Sequence, residues 1–327
     1  MRILLWHVHG SWTTSFVSGP HDYVLPLLPD RGPDGRGRAR TWDWPASARE
    51  VPVEELGDVP VDVVLLQRPH EAELLERWTG HRPGRDVPAV YVEHNAPTGH
   101  AVRSRHPVAD DDRLVGVPVV HVTRFNAMAW DCGDGPTAVV EHGVPDTGYR
   151  YTGDDAGVAA VVNEPVRRWR VAGTDLLLRF AREMPVEVYG MGMAELARTA
   201  AAQGISLSPD RLHDDVPQHE MHAALGRHRA YLHPYRWTSL GLALLEAMTL
   251  GMPVLALSTT EAPEAVPADA GLVTNDVDAL VATARRWLHD PAEARERGLA
   301  ARRHALTRYG LKRFLDDWDR LLEGVAR

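Results

Sequence analysis

Glu246 is the only acidic side chain in the apolar run Leu240 to Pro253, LGLALLEAMTLGMP, and it stands five residues after a glycine that opens a helical pattern. Gly241 permits close approach of backbone to a ligand. A helix N-terminus favours an anion, and five residues make about one and a half turns at 3.6 residues per turn. That spacing suits a sugar nucleotide, with phosphates on the amide end and vicinal ribose hydroxyls donating to the carboxylate. A glutamate turned to solvent on a half-buried helix is the competing reading. A second set of candidates is Arg167, Arg168 and Arg170, which follow Asn163-Glu164-Pro165-Val166 and precede Gly173-Thr174-Asp175 at the start of an apolar helix. Forked guanidinium donors ahead of oriented amides would stabilise charge building on a departing diphosphate. A solvated arginine-rich loop is the alternative. His94 closes the strand-like stretch from Pro88, and a histidine at the C-terminal end of a parallel strand faces the crevice where α/β proteins bind ligands. A packed or capping histidine stays open beside that role.

These side chains need strands and helices to hold them. Ala230 to His233 reads as a strand, Pro234-Tyr235-Arg236-Trp237-Thr238-Ser239 as a ligand loop, the run around Glu246 as a helix, and Val254 to Leu257 as the next strand. In the first half Arg2 to Val8, Val61 to Leu66, Pro88 to His94, Val117 to Thr123 and Thr137 to His142 read as strands, most of them separated by helical or loop segments, as a parallel sheet requires. Pro29 to Arg40 reads as an exposed loop whose arginines are solvated or touch an acidic acceptor or membrane surface. After an interruption at Val144 to Asp155 the plan repeats with Gly157 to Val162, a helix from Thr174, Val186 to Tyr189 and a helix near Ala194. Leu311 to Ala326 is amphipathic, with Leu311, Phe314, Leu315, Trp318, Leu321 and Leu322 at helical spacing.

The stretch from Ala230 to Glu264 resembles the retaining glycosyltransferases of family 4, whose C-terminal domain carries P-S-x-x-E-x-F-G-L-x-x-x-E-A-M-x-x-G-x-P-V. Gly241-Leu242, Glu246-Ala247-Met248, Gly251 and Pro253-Val254 match in register, whereas Leu240 stands for the phenylalanine and Thr238 for the first glutamate. The resemblance implies a GT-B fold of class α/β, two Rossmann-like domains facing each other across a cleft. It places an acceptor domain at 1–148, a donor domain at 149–308 and a returning helix at 309–327. It further implies that Gly10 and Ser11 after the first strand face the donor phosphates. Gly190, in Tyr189-Gly190-Met191-Gly192, would be part of a G-x-G turn of the donor domain, and Val216, in Asp214-Asp215-Val216-Pro217 at the start of a helix, would meet the base. Thr238, Ser239, Leu240, Gly241, Leu242 and Glu246 would line the donor site with Arg170. His94 would contact the donor sugar, and Arg167 or Arg168 the leaving phosphate. The family often places a lysine at the position of Ala172; Lys312 is the only lysine here, so basic chemistry falls to arginine.

The chain has 327 residues, enough for two cores, with 44% hydrophobic and 25% charged residues. A net charge of −9 argues against a nucleic-acid partner. The single cysteine, Cys132, excludes an internal disulfide and fits a reducing cytosol, and no apolar run reaches membrane-spanning length. A cytoplasmic location is therefore expected, and heavy use of arginine over lysine points to a GC-rich bacterial genome. His7 and His9 alternate across a strand without a nearby carboxylate or cysteine, and Asp110-Asp111-Asp112 reads as loop charge, so no metal site and no cofactor are expected. The resulting expectation is a metal-independent hexosyltransferase that moves a sugar from a UDP- or GDP-linked donor to the hydroxyl of an unknown acceptor, a glycan, lipid-linked or small molecule, with retention. A sugar-nucleotide epimerase of the same fold and a non-catalytic sugar-nucleotide-binding protein, the latter raised by Thr238, are the rivals. Donor base, acceptor and oligomeric state are not written in the sequence.

Overall fold

A computed structural model describes residues 1–100 and 103–326 and divides the chain into two units, Met1–Pro145 with the segment from Leu311, and Asp146–Gly310. The first holds β1 (Arg2–Leu5), α1 (Gly10–Val17), β2 (Asp22–Leu27), β3 (Ala48–Pro52), β4 (Val63–Leu66), α2 (Glu71–Thr79), β5 (Ala89–Glu93), β6 (Val119–His121), α3 (Arg124–Ala129) and β7 (Thr137–Val139). The second holds β8 (Asp155–Val161), α4 (Pro165–Ala172), α5 (Thr174–Ala181), β9 (Val186–Gly190), α6 (Met193–Ala202), β10 (Leu212–Asp214), α7 (Gln218–Leu225) and β11 (His228–His233). It continues with α8 (Leu242–Leu250), β12 (Val254–Ala256), α9 (Ala262–Ala265), β13 (Gly271–Val273), α10 (Val277–His289) and α11 (Pro291–Arg308); α12 (Leu311–Val325) belongs to the first unit.

Both sheets are parallel. The seven-stranded one runs β3-β2-β1-β4-β5-β6-β7 and the six-stranded one β10-β9-β8-β11-β12-β13. Central strands of the first are near-continuous apolar runs: β4 (VVLL) and β5 (AVYVE) are buried throughout, because helices cover both faces of a parallel sheet. The strands anticipated in the first half are present but shorter than their apolar runs. β2 and β3 were not anticipated, and their composition explains it. Pro26 breaks the apolar run of β2, yet it lies beyond the last pair with β1, Leu4 with Val24, so its missing N–H interrupts no central ladder. β3 is an edge strand carrying Arg49 and Glu50.

The loop after β2 is more tightly bound than a solvated loop. Arg31 forms a forked pair with Glu50 at 2.8 and 3.0 Å. Arg38 donates to the carbonyls of Trp44 at 2.6 Å and Pro45 at 2.8 Å and to that of Ala48, so both guanidinium groups serve the fold rather than a ligand. The amphipathic pattern of α12 is realised within the first unit. Its buried Phe314 and Trp318 meet Trp12 and Phe16 with ring centroids 5.3–6.1 Å apart, and Arg313 donates to the carbonyls of Glu141 and His142. Among the described residues no helix is long and apolar enough to cross a membrane.

Candidate functional site

In the six-stranded sheet the chain leaves β8 towards β9 on one side, while β11 and β12 lie on the other. The carboxyl ends of β8 and β11 therefore flank a topological switch point, where loops diverge and open a crevice. From β8 the chain passes Asn163 into α4, whose first turn is set by Pro165 behind Glu164 at φ 52°. α4 is broken at Trp169 (φ 28°, ψ −98°) and ends at Gly173. A Cβ on Gly173 would lie 1.8 Å from the carbonyl oxygen of Pro234, so only glycine lets these two strand-end loops meet.

The three arginines are thus not in a loop ahead of a helix; they sit on α4 itself, where proline at the first helical position favours the turn. Arg167 is exposed and engaged by Glu164, with Nε donating to Oε1 at 2.9 Å. Arg170 donates to Asp175 at 2.5 Å, and Asp175 also receives both arms of Arg236 at 2.5 and 2.9 Å. Burial works to raise the Asp175 pKa, but the Arg236 hydrogen bonds and the neighbouring arginine charges hold it below the usual value. Arg168 differs from both: its guanidinium lies over the ring of Tyr235, 5.3 Å from the centroid, rather than in an ion pair.

After β11 the loop Pro234 to Leu240 leads to α8. Thr238 is half-buried, while Ser239 and Leu240 are buried. Gly241 is the N-cap residue in extended conformation and has no side chain with which to cap the helix. The leading amides of α8, at Leu242 and Ala243, therefore lack intrahelical acceptors and point out of its positive end. Glu246 is buried, not turned to solvent. Its Oε1 accepts from Gln218 Nε2 at 2.8 Å and its Oε2 from His222 Nε2 at 3.0 Å, both on α7. Each oxygen retains a second acceptor position.

Asp214 belongs to β10 and caps α6 through the amide of Gly192 at 2.8 Å, so the expected helix starts later than Asp214, at Gln218. Val216 is half-buried in the intervening turn. Gly190 has a packing duty of its own, since a Cβ there would lie 2.3 Å from the carbonyl oxygen of Val162.

His94, Gly10 and Ser11 lie in the first unit, the other candidates in the second. His94 is nearly buried, with Nε2 3.0 Å from Gln67 Oε1 and its ring 4.1 Å from that of His9. Gln67 in turn donates to the carbonyl of Trp6 at 2.7 Å, which orients the amide. Burial foremost, then the nearby His9 and His142, pushes His94 well below its ordinary pKa, and burial takes His9 down to about 4. Both imidazoles are neutral at physiological pH. Gly10 starts α1, where a Cβ would come within 2.3 Å of the Trp42 ring, and Ser11 sits in its uncapped first turn.

Sequence reasoning did not single out Gln218 and His222, the partners of Glu246. Gln218 and His222 stand four apart on α7 and so share a face, a spacing visible in the sequence once α7 is placed. Among the described residues no group of three or more His, Cys, Asp or Glu side chains is arranged to hold a metal ion.

Residues 172–290, which include β11, the loop and α8, match the family model described as glycosyl transferases group 1. Over 90 residues the chain is 39% identical to O-antigen chain mannosyltransferase B of Escherichia coli, covering 26% of this chain and 23% of that protein. The chain thus aligns with about a quarter of that curated relative's length. Sucrose-phosphate synthase from Thermosynechococcus elongatus superposes with a TM-score of 0.72 at 15% identity, covering 99% of this chain and 98% of the other. HepE of Anabaena, a structure in complex with UDP, superposes with a TM-score of 0.70 at 14% identity, covering 99% and 100%. With its two parallel-sheet Rossmann-like units, the chain has the GT-B fold.

Proposed function

We propose that this protein is a retaining glycosyltransferase of family 4 that moves a hexosyl group from a UDP- or GDP-linked donor to an acceptor hydroxyl. The observation that carries the reading is the pairing of an uncapped α8 N-terminus with the buried carboxylate of Glu246 at the switch point of the second sheet. Phosphates meet the amides there, and ribose hydroxyls meet the carboxylate, whose rotamer is set by Gln218 and His222. The matched segment, the mannosyltransferase relative and the UDP complex of HepE support a nucleotide-sugar donor.

Of the three arginines on α4, Arg168 is the proposed diphosphate contact, because Arg167 and Arg170 already face carboxylates. Both oxygens of Glu246 are engaged, so it serves as a hydrogen-bond acceptor and not as a nucleophile. Retention then follows a nucleophile-free route. The glycosidic C–O bond to the diphosphate breaks, the acceptor oxygen attacks the same face, and the departing phosphate oxygen takes the acceptor proton. Helix amides and guanidinium groups stabilise the developing negative charge without a metal. Calorimetric titration with UDP and GDP, followed by product analysis with donor and acceptor panels, tests the proposal. Glycoside formation with retained configuration is expected. Binding without turnover would make the protein a silent binder, epimerised donor would make it an epimerase, and failure to bind any nucleoside diphosphate would refute the donor site.

A further inference from the structure

His233 is the last residue of β11, a strand buried from end to end, and its side chain is 2% exposed. The imidazole centroid lies 6.4 Å from that of Tyr231 and 5.0 Å from that of Tyr235, whose ring also has the Arg168 guanidinium 5.3 Å from its centroid. Its N–C–N edge is turned to the first residue of the α8 entrance. A Cβ built on Gly241 would meet Cε1 at 2.9 Å, Nδ1 at 3.7 Å and Nε2 at 3.9 Å. Nδ1 has no hydrogen-bond partner. A polar atom this deeply buried ordinarily finds one, so the vacancy asks for an explanation.

The explanation lies in what faces it. α8 spans nine residues, its N-terminus has no side-chain cap, and its first turn holds no acidic residue. The space beside the α8 entrance is thus bordered by helix amides and an imidazole edge. It is rich in donors and short of acceptors. The complementary ligand is an anion with several acceptor oxygens, which a phosphoryl group supplies and a hydroxyl does not. Glycine at 241 is required by the close approach of the imidazole to the helix end rather than by its backbone, since its φ of −69° is ordinary and any side chain would strike the ring.

We infer that His233 is a further binding residue of the donor site, donating a ring N–H to the same phosphoryl group that the first amides of α8 receive. This rests on the nucleotide-sugar reading for the identity of the ligand, although the anion site itself stands on the geometry. Burial pushes the His233 pKa down to about 4, so at neutral pH the ring offers one N–H and brings no charge to be desolvated. When the glycosidic bond breaks, that N–H meets an oxygen that has just gained charge, and the bond strengthens in the transition state.

The full chain, His233→Phe, His233→Asn and His233→Gln are titrated with inorganic pyrophosphate, UDP and GDP. His233→Phe keeps a ring and removes both nitrogens; the two amides restore a donor near Nδ1 or near Nε2. The expected result is at least a tenfold loss of affinity for pyrophosphate and nucleoside diphosphate in His233→Phe, with partial recovery in one amide variant. The unliganded His233→Phe protein should melt no lower than the parent, because no buried nitrogen is left without a partner. Nucleoside diphosphate binding within twofold of the parent in His233→Phe would overturn the inference and leave the donor reading intact. His233-dependent pyrophosphate binding with no affinity for UDP or GDP would overturn the donor reading and leave the anion site. No binding of any probe by the parent would overturn both. Should His233→Phe fail to fold, the ring-nitrogen resonances of His233 in the parent decide: pyrophosphate must shift them, and unchanged resonances at saturation overturn the inference.

Discussion

Replacing Glu246 by alanine should damage stability and nucleotide binding separately, in amounts that the hydrogen bonds define. The carboxylate is 7% exposed and accepts from His222, itself 5% exposed, at 3.0 Å and from the half-buried Gln218 at 2.8 Å. Truncation strands the His222 donor and takes one acceptor from Gln218. A buried donor left unpaired costs about 1–3 kcal/mol; the imidazole would incur the full amount, and the amide less, because it can turn towards water. The expected loss of unfolding free energy is about 2–4 kcal/mol, read from urea transitions at constant slope. Loss of the bonds from ribose hydroxyls to a charged acceptor should weaken UDP or GDP binding by a further ~1.5–3 kcal/mol, roughly 10–150-fold. The double variant Glu246→Leu/His222→Phe separates the two effects. With both polar partners removed most of the stability should return, while nucleotide affinity should not. Unaltered stability in Glu246→Ala would refute the buried network, and nucleotide affinity at the parent level in the folded double variant would remove Glu246 from the ribose site.

Four shorter predictions share the same basis. His94→Ala should lower turnover while leaving nucleoside diphosphate affinity within about threefold; losing both equally would make His94 a packing residue held by Gln67. Gly173→Ala places a methyl 1.8 Å from the Pro234 carbonyl at φ 72°, so at least ~2 kcal/mol of stability should go, and a neutral effect in urea would contradict the contact between those loops. His142 is buried, and burial, followed by the charges of His9 and Arg313, takes its pKa down to about 3. The unfolded chain accepts a proton below pH 6.5 that the fold refuses, so stability present above that pH falls on acidification towards 3. His142→Asn should remove about 2 kcal/mol of the loss between pH 7 and 5, and identical pH slopes in the two proteins would refute this. Activity should survive EDTA; abolition reversed by magnesium or manganese would show that arginine and helix amides do not suffice for the diphosphate.

What could be read from the sequence was whatever a single element decides alone. β4 and β5 announce themselves because burial on both faces leaves them almost no polar positions, and α8 does so because its run carries a single charge, Glu246. β2 and β3 were hidden by Pro26 and by the charges of an edge strand. The arginines on α4 show the opposite limit. Their types and their nearness to a helix start were legible, but which of them is committed was not. Arg167 is claimed by a local glutamate three residues away, whereas the break at Trp169 lets Arg170 reach Asp175, and Asp175 meets Arg236 only because β8 and β11 are neighbours in the sheet. Spacing alone scores all three alike.

The rule that singles out His94 applies with equal force to His233. His94 directly follows β5 and His233 ends β11, both at the carboxyl end of a buried parallel strand, and both are kept neutral chiefly by burial. They differ in what the fold gives the ring. Gln67, itself anchored on Trp6, satisfies His94 Nε2, so that imidazole has a fixed orientation before any substrate arrives. His233 receives two aromatic neighbours and nothing for Nδ1, directly beside the helix end whose amides lack intrahelical acceptors. An oriented imidazole suits positioning of a sugar or hydroxyl that exchanges one weak bond for another. An imidazole left without a partner beside free amides suits a group that brings several strong acceptors at once, and of the donor's parts only the diphosphate does so. On the proposed function, two histidines with the same sequence signature are told apart by their hydrogen-bond accounts, His94 towards the sugar and His233 towards the diphosphate.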